Sequence, residues 1–196
     1  MPKVSQEYLD ARRRGIVEAA RTVFAEKGFT AAPMAAIVKA SGLSTGTFYR
    51  YFPSKAALVA EIVGGRDGTE EGGFPAGETP RELLRRLTSY VTPPGASVDH
   101  ARLVIQIWAE AAVSEDLAAV AVSRHTALRD HLARLYARTR EDARREPTAA
   151  GPEPTAADTT RAEAALAALV GYAVLASVRA PTDFAALGRE IETSFG

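Results

Sequence analysis

The chain has 196 residues, 46% of them apolar and 24% charged, and no cysteine. This composition supports one or two domains with a sizeable core and excludes wholesale disorder, a disulfide framework and thiolate chemistry. Lysine plus arginine and aspartate plus glutamate both total 24, yet residues 1–60 carry a net +5 and residues 61–196 a net −5. A basic head on an acidic body fits contact with a polyanion at one end, although chance also produces such splits.

The longest apolar run, residues 164–178, spans only 15 positions and is interrupted by Gly171, Tyr172 and Ser177. That is short of the roughly 18–20 residues a bilayer requires. The N-terminus has charges but no apolar signal segment. A cytoplasmic protein with no membrane partner is expected.

The periodic segments favour helix throughout. Over residues 8–27, Leu9, Ile16, Ala20, Val23 and Phe24 keep a 3.6-residue spacing, and Gly28 stands where such a helix ends. Pro33 opens a short second helix whose inner stripe is Met34, Ile37 and Val38. Ser41-Gly42 breaks it, Leu43 points inward, and Ser44 caps a third helix with Phe48 and Tyr51 on its inner side. Pro53-Ser54 starts a fourth helix running to about Val63. Residues 64–77 hold six glycines and read as a connection; without a following G-K-[ST] they form no phosphate loop. Thr79-Pro80 opens a fifth helix through Tyr90, closed by Pro93-Pro94-Gly95. Helices over about 101–113 and 115–145 follow, then a proline-rich loop over 146–158, and two last helices over about 159–178 and 182–194.

Residues 34–51 have the geometry of a helix-turn-helix, two short helices held at an angle by Ile37, Leu43, Phe48 and Tyr51, with Gly42 at the turn. In a DNA reader the second helix lies in the major groove with its N-terminal residues nearest the bases. That end reads Ser44-Thr45-Gly46-Thr47, small and hydroxyl-rich, followed by Tyr49, Arg50 and Tyr51. Helical hairpins that bind nothing share this spacing, so the spacing leaves both readings open.

The run Phe24-Ala25-Glu26-Lys27-Gly28-Phe29, then Ile37 and the stretch from Ala40-Ser41-Gly42-Leu43 through Phe48-Tyr49-Arg50-Tyr51-Phe52-Pro53-Ser54-Lys55, resembles the N-terminal domain of TetR-type transcriptional repressors. Gln106-Ile107-Trp108-Ala109-Glu110 resembles, more weakly, the start of the sixth helix in such regulators. The resemblance implies an all-α fold of about nine helices. Residues 1–55 would form a three-helix DNA-binding domain and residues 56–196 a ligand-sensing and dimerisation domain. Three positions depart from the family's usual pattern. Ala32-Pro33 replaces a capping Ser or Thr, Ala35 stands where some relatives carry a base-reading side chain, and Val38 replaces a small residue at the helix crossing. The third helix therefore carries more of the expected reading.

Ser44, Thr45, Gly46, Thr47, Tyr49, Arg50, Tyr51 and Lys55 are the expected DNA contacts. Lys55 sits in the first turn of a helix, where a cation opposes the macrodipole at a cost of about 0.3–1 kcal/mol, and a phosphate there would offset it. The resemblance also implies a ligand pocket in the body, with Trp108, Tyr90, Tyr136, Tyr172 and Phe74 as candidate walls and His125, Gln106 and Arg102 as candidate polar groups. Aromatics at helical spacing serve equally well as simple core. His125 and His131 are six apart, about 240° around a helix, and form no metal pair. No metal, cofactor or catalytic set is expected.

Residues 162–178 are apolar on nearly every face, so both faces need cover, either as the central helix of a purely intramolecular core or by a second subunit. Leu166, Leu169 and Val170, together with the row Phe184, Leu187 and Ile191, are expected to form a homodimer seam. The function expected is a repressor that binds a near-palindromic double-stranded DNA operator as a dimer and is released by a small-molecule inducer. The alternatives are an activator or ligand-independent regulator and, more remotely, a small-molecule enzyme or carrier.

Overall fold

The computed structural model describes residues 5–64, 75, 77–93, 100–144 and 152–196. These residues form nine α-helices and no strand: α1 Gln6–Lys27, α2 Met34–Ser41, α3 Thr45–Tyr51, α4 Lys55–Gly64, α5 Pro80–Val91, α6 His100–Ala111, α7 Glu115–Arg144, α8 Ala156–Ser177 and α9 Phe184–Phe195.

The ends follow from local chemistry. Ser5 caps α1 by accepting from the Tyr8 N–H, and Gly28 ends it. Pro33 lies at the N-cap of α2, one residue before the position the sequence assigns it, and supplies no side-chain cap. Gly42 closes α2 at φ 67°, a left-handed conformation that any Cβ would strain. Thr79 and Glu82 form a reciprocal capping box at α5. The expected loop over 146–158 ends early, because Thr155 and Asp158 form a second such box and α8 begins at Ala156. The connection over 64–77 and residues 94 and 95 lie largely outside the described residues.

Two apolar clusters organise the chain. The first gathers Phe24, Phe29, Ile37, Phe48, Phe52, Leu58 and Ile62 from α1 to α4 and continues into Leu103 and Ile107 of α6 and Leu117 of α7. Burying each large side chain contributes about 1.5–3 kcal/mol, so the head is a packed unit built onto α6 and α7. Two arginines of α1 hold α4 in place. Arg13 grips Glu61 through two bonds of 2.8 and 2.7 Å, and the buried Arg21 donates to the Ile62 carbonyl at 3.2 Å. The second cluster joins Leu83 and Leu84 of α5, Leu132, Leu135 and Tyr136 of α7, Ala162, Leu166, Leu169 and Tyr172 of α8, and Ile191 of α9.

That second cluster corrects the expected seam. Leu166, Leu169 and Ile191 are buried inside the protomer, and Phe184 and Leu187 pack against the same core. Val170, half-buried, lines a pocket between the helices instead. The apolarity of α8 on two sides has another outcome: one side is core, and the other, Ala164, Ala167, Gly171 and Val174, faces out with Val178 beyond the helix end.

Candidate functional site

The helix-turn-helix is formed by α2 and α3. Phe48 is fully buried and Leu43 and Tyr51 pack against the head's core, so the opposite side of α3 is presented outward. Ser44, Thr45, Gly46, Tyr49 and Arg50 are exposed, and Thr47 and Tyr51 are half-buried. Ser44 Oγ caps α3 by accepting the Thr47 N–H at 3.3 Å and pairs with Thr47 Oγ1 at 2.8 Å, so both hydroxyls stand at the outer end of the helix. A Cβ built on Gly46 would meet nothing within 4 Å. The protein itself gives no reason to omit a side chain there. Lys39, in the last turn of α2, is exposed nearby in sequence and extends the basic surface; only the charge count signalled it.

Lys55 has a partner that the sequence argument lacks. Its ammonium donates to the Phe29 carbonyl and lies over the Phe29 ring at 4.2 Å and the Phe24 ring at 5.6 Å. Burial lowers its pKa, against the attraction of Glu110. The cation therefore ties the start of α4 to the α1–α2 turn.

The same turn is held from the other side by α6. Gln106 Oε1 accepts the Phe29 N–H at 3.1 Å, and Glu110 accepts from the Thr30 hydroxyl at 2.6 Å. Gln106 thus belongs to the contact between head and body and does not line the pocket where the sequence reading puts it.

The neighbouring face of α6 opens on a cavity of about 160 Å³ between α5, α6, α7 and α8. Of the expected pocket residues, Trp108, Tyr90 and His125 line it. Tyr136 does not, because its hydroxyl donates to the Phe195 carbonyl and pins the end of α9; burial pushes that phenol up to about 12. Tyr172 also turns away, pairing with the Thr92 hydroxyl at 2.6 Å and packing edge-on against Phe184. Arg102 is exposed, and Phe74 lies outside the described residues. Sequence reasoning missed Arg124 and the aliphatic wall, including Leu87, Val104, Leu128 and Ala173. Arg124 directly precedes His125, but one residue on a helix turns by about 100°, so adjacency alone gave no signal. The His125 ring stands edge-on to Trp108, centroids 6.0 Å apart, with Nε2 2.8 Å from a Glu163 carboxylate oxygen. Among the described residues no helix is long and apolar enough to cross a membrane.

Residues 16–62, the packed head, match the family model described as "Bacterial regulatory proteins, tetR family". The chain is 42% identical over 71 residues to the HTH-type transcriptional regulator YfiR of Bacillus subtilis, a match covering 36% of this chain and 34% of YfiR. It therefore spans about a third of that relative's length. It is 31% identical over 138 residues to the HTH-type transcriptional regulator UidR of Escherichia coli K12, covering 68% of each chain. In structure it resembles Salmonella enterica GusR, at a TM-score of 0.68 and 25% identity, over 99% of this chain and 97% of that one. Head, body and relatives agree, and the chain belongs to the TetR family of bacterial DNA-binding transcriptional regulators.

Proposed function

We propose that this protein is a ligand-responsive repressor that binds a near-palindromic operator as a homodimer and lets go of it when a small molecule enters the cavity beneath Trp108. The observation that carries this reading is the double role of α6. Val104, Ile107 and Trp108 line the cavity, while Gln106 and Glu110 on the adjoining face hold the α1–α2 turn of the head. A ligand that shifts α6 therefore acts on the support of the reading helix. Thr45, Gly46 and Thr47 meet base edges, and Tyr49, Arg50, Tyr51 and Lys55 take phosphates. A hundredfold loss of operator affinity requires about 2.7 kcal/mol of coupling between the sites.

Dimerisation uses the outward side of α8, Ala164, Ala167, Gly171 and Val174, with α9 beside it. An exposed stripe of small and apolar side chains lets two helices approach closely, and a two-fold axis makes the operator palindromic. Residues 1–55 act as the reader, and residues 56–196 as sensor and seam.

The test uses a duplex selected from a random pool. Compounds that release it are titrated into protein alone and into the protein–DNA complex. The reading expects DNA to weaken inducer binding by the same factor that inducer weakens DNA binding. Compounds that fill the cavity without altering operator affinity would overturn it.

A further inference from the structure

Three contacts meet at two consecutive residues of the α1–α2 turn. Gln106 accepts the Phe29 N–H at 3.1 Å, the Phe29 carbonyl accepts from Lys55, and the Thr30 hydroxyl donates to Glu110 at 2.6 Å. The first two satisfy the backbone of a buried residue, which is reason enough for them. The third lacks that reason. Thr30 is exposed, so water serves its hydroxyl equally well, yet the acceptor is a full negative charge. Glu110 is the next-to-last residue of α6, where the macrodipole disfavours an acid, and no basic residue shares that last turn. Its opposite charge lies in the head instead. Glu110 attracts the half-buried Lys55 ammonium, the same cation that the DNA-binding reading assigns to an operator phosphate.

Resting on that reading, we infer that Glu110 is a built-in competitor of DNA: its carboxylate, held in place by Thr30, occupies the charge of Lys55 and lowers affinity for every sequence alike. A phosphate meeting a lysine already neutralised gains less and releases less counter-ion than one meeting a bare cation. Glu110 is carried by α6, which also lines the cavity through Val104, Ile107 and Trp108. A sensor helix that brings its own anion to the reader weakens DNA binding by charge, with no change in the spacing of two heads.

The experiment uses full-length protein without added small molecules and two duplexes, one selected from a random pool and one unrelated. Anisotropy titrations run from about 50 to 200 mM salt. Glu110→Gln keeps an acceptor for the Thr30 hydroxyl and removes only the charge. It is expected to tighten binding to both duplexes at least threefold at the low-salt end and to steepen the salt slope by up to about 0.9 for each head engaged. In a Lys55→Gln background the same substitution is expected to change neither. Unchanged or weaker binding with an unaltered slope overturns the inference and leaves Glu110 a structural contact; this comparison needs no Lys55 variant to fold. A gain that survives intact in folded Lys55→Gln protein is general repulsion of DNA and overturns the competition for Lys55. A gain confined to the selected duplex is a change in base reading and overturns it too. If the unmodified protein binds neither duplex, the DNA-binding reading itself falls, and the inference with it.

Discussion

Gly46 stands one residue inside α3, where alanine would stabilise the helix by about 0.5–1 kcal/mol. Nothing within 4 Å would obstruct its Cβ. The cost is unexplained by the protomer and fits close approach of DNA to the backbone. Gly46→Ala is therefore expected to raise the melting temperature slightly and to weaken operator binding at least tenfold, measured by thermal unfolding and by fluorescence anisotropy. Undiminished DNA binding would remove Gly46 from the interface. The outward-facing residues of α3 were legible in the sequence because Phe48 and Leu43 fix which side is inside. The internal engagement of Lys55 was not. A helix-dipole argument locates a cation in a first turn but cannot see the Phe29 carbonyl, 26 positions earlier in the chain, that accepts its proton.

At the scale of elements, α6 shows what periodicity conveys and what it hides. Ile107 is buried, while Gln106 looks in the sequence as plausible in a pocket as anywhere else. Only the fold shows that it accepts the Phe29 N–H. Gln106→Ala is expected to leave cavity binding within twofold of the parent and to shrink the ligand's effect on operator affinity several-fold. A full-sized response in that variant would assign the coupling elsewhere. The start of α8 escaped for a related reason: three prolines in residues 146–158 suggested a loop, while Thr155 and Asp158 carried an overlooked capping signature.

The junction of α7 with α5 gives a pH test. Burial holds the His131 imidazole down to about 4, against its usual 6.5, despite a Glu78 carboxylate oxygen 3.6 Å away. Glu78 is also gripped by Arg86 through bonds of 2.9 and 3.0 Å. The unfolded chain takes up the His131 proton at higher pH than the folded one. The neutral ring's contribution is thus fully present above about pH 6.5 and is lost as the pH falls towards about 4. Denaturant midpoints should decline across that window, and His131→Gln should flatten the decline. An unchanged slope in the variant would place the titration on another group.

For the whole molecule, the helical architecture and the packing of the head around Phe24, Ile37 and Phe48 were legible in the sequence. The sequence could not say which side of α8 faced its own core, because Leu166 and Leu169 are as apolar as any interface residue; the burial of both within the protomer settles that they are core. Gly171 lies on the outward side, where a Cβ would meet nothing within the protomer. Gly171→Arg is expected to yield folded monomers by light scattering, with operator binding reduced at least a hundredfold. A dimer of unaltered affinity would move the seam elsewhere.

Two such heads are expected to read DNA together, and selection of bound duplexes from a random pool measures this. The expected outcome is a near-palindrome whose half-sites are centred about one helical turn apart, ~10–10.5 base pairs or a multiple of that, occupied by two chains. Enrichment of a single asymmetric half-site held by one chain, or no enrichment at all, would contradict it.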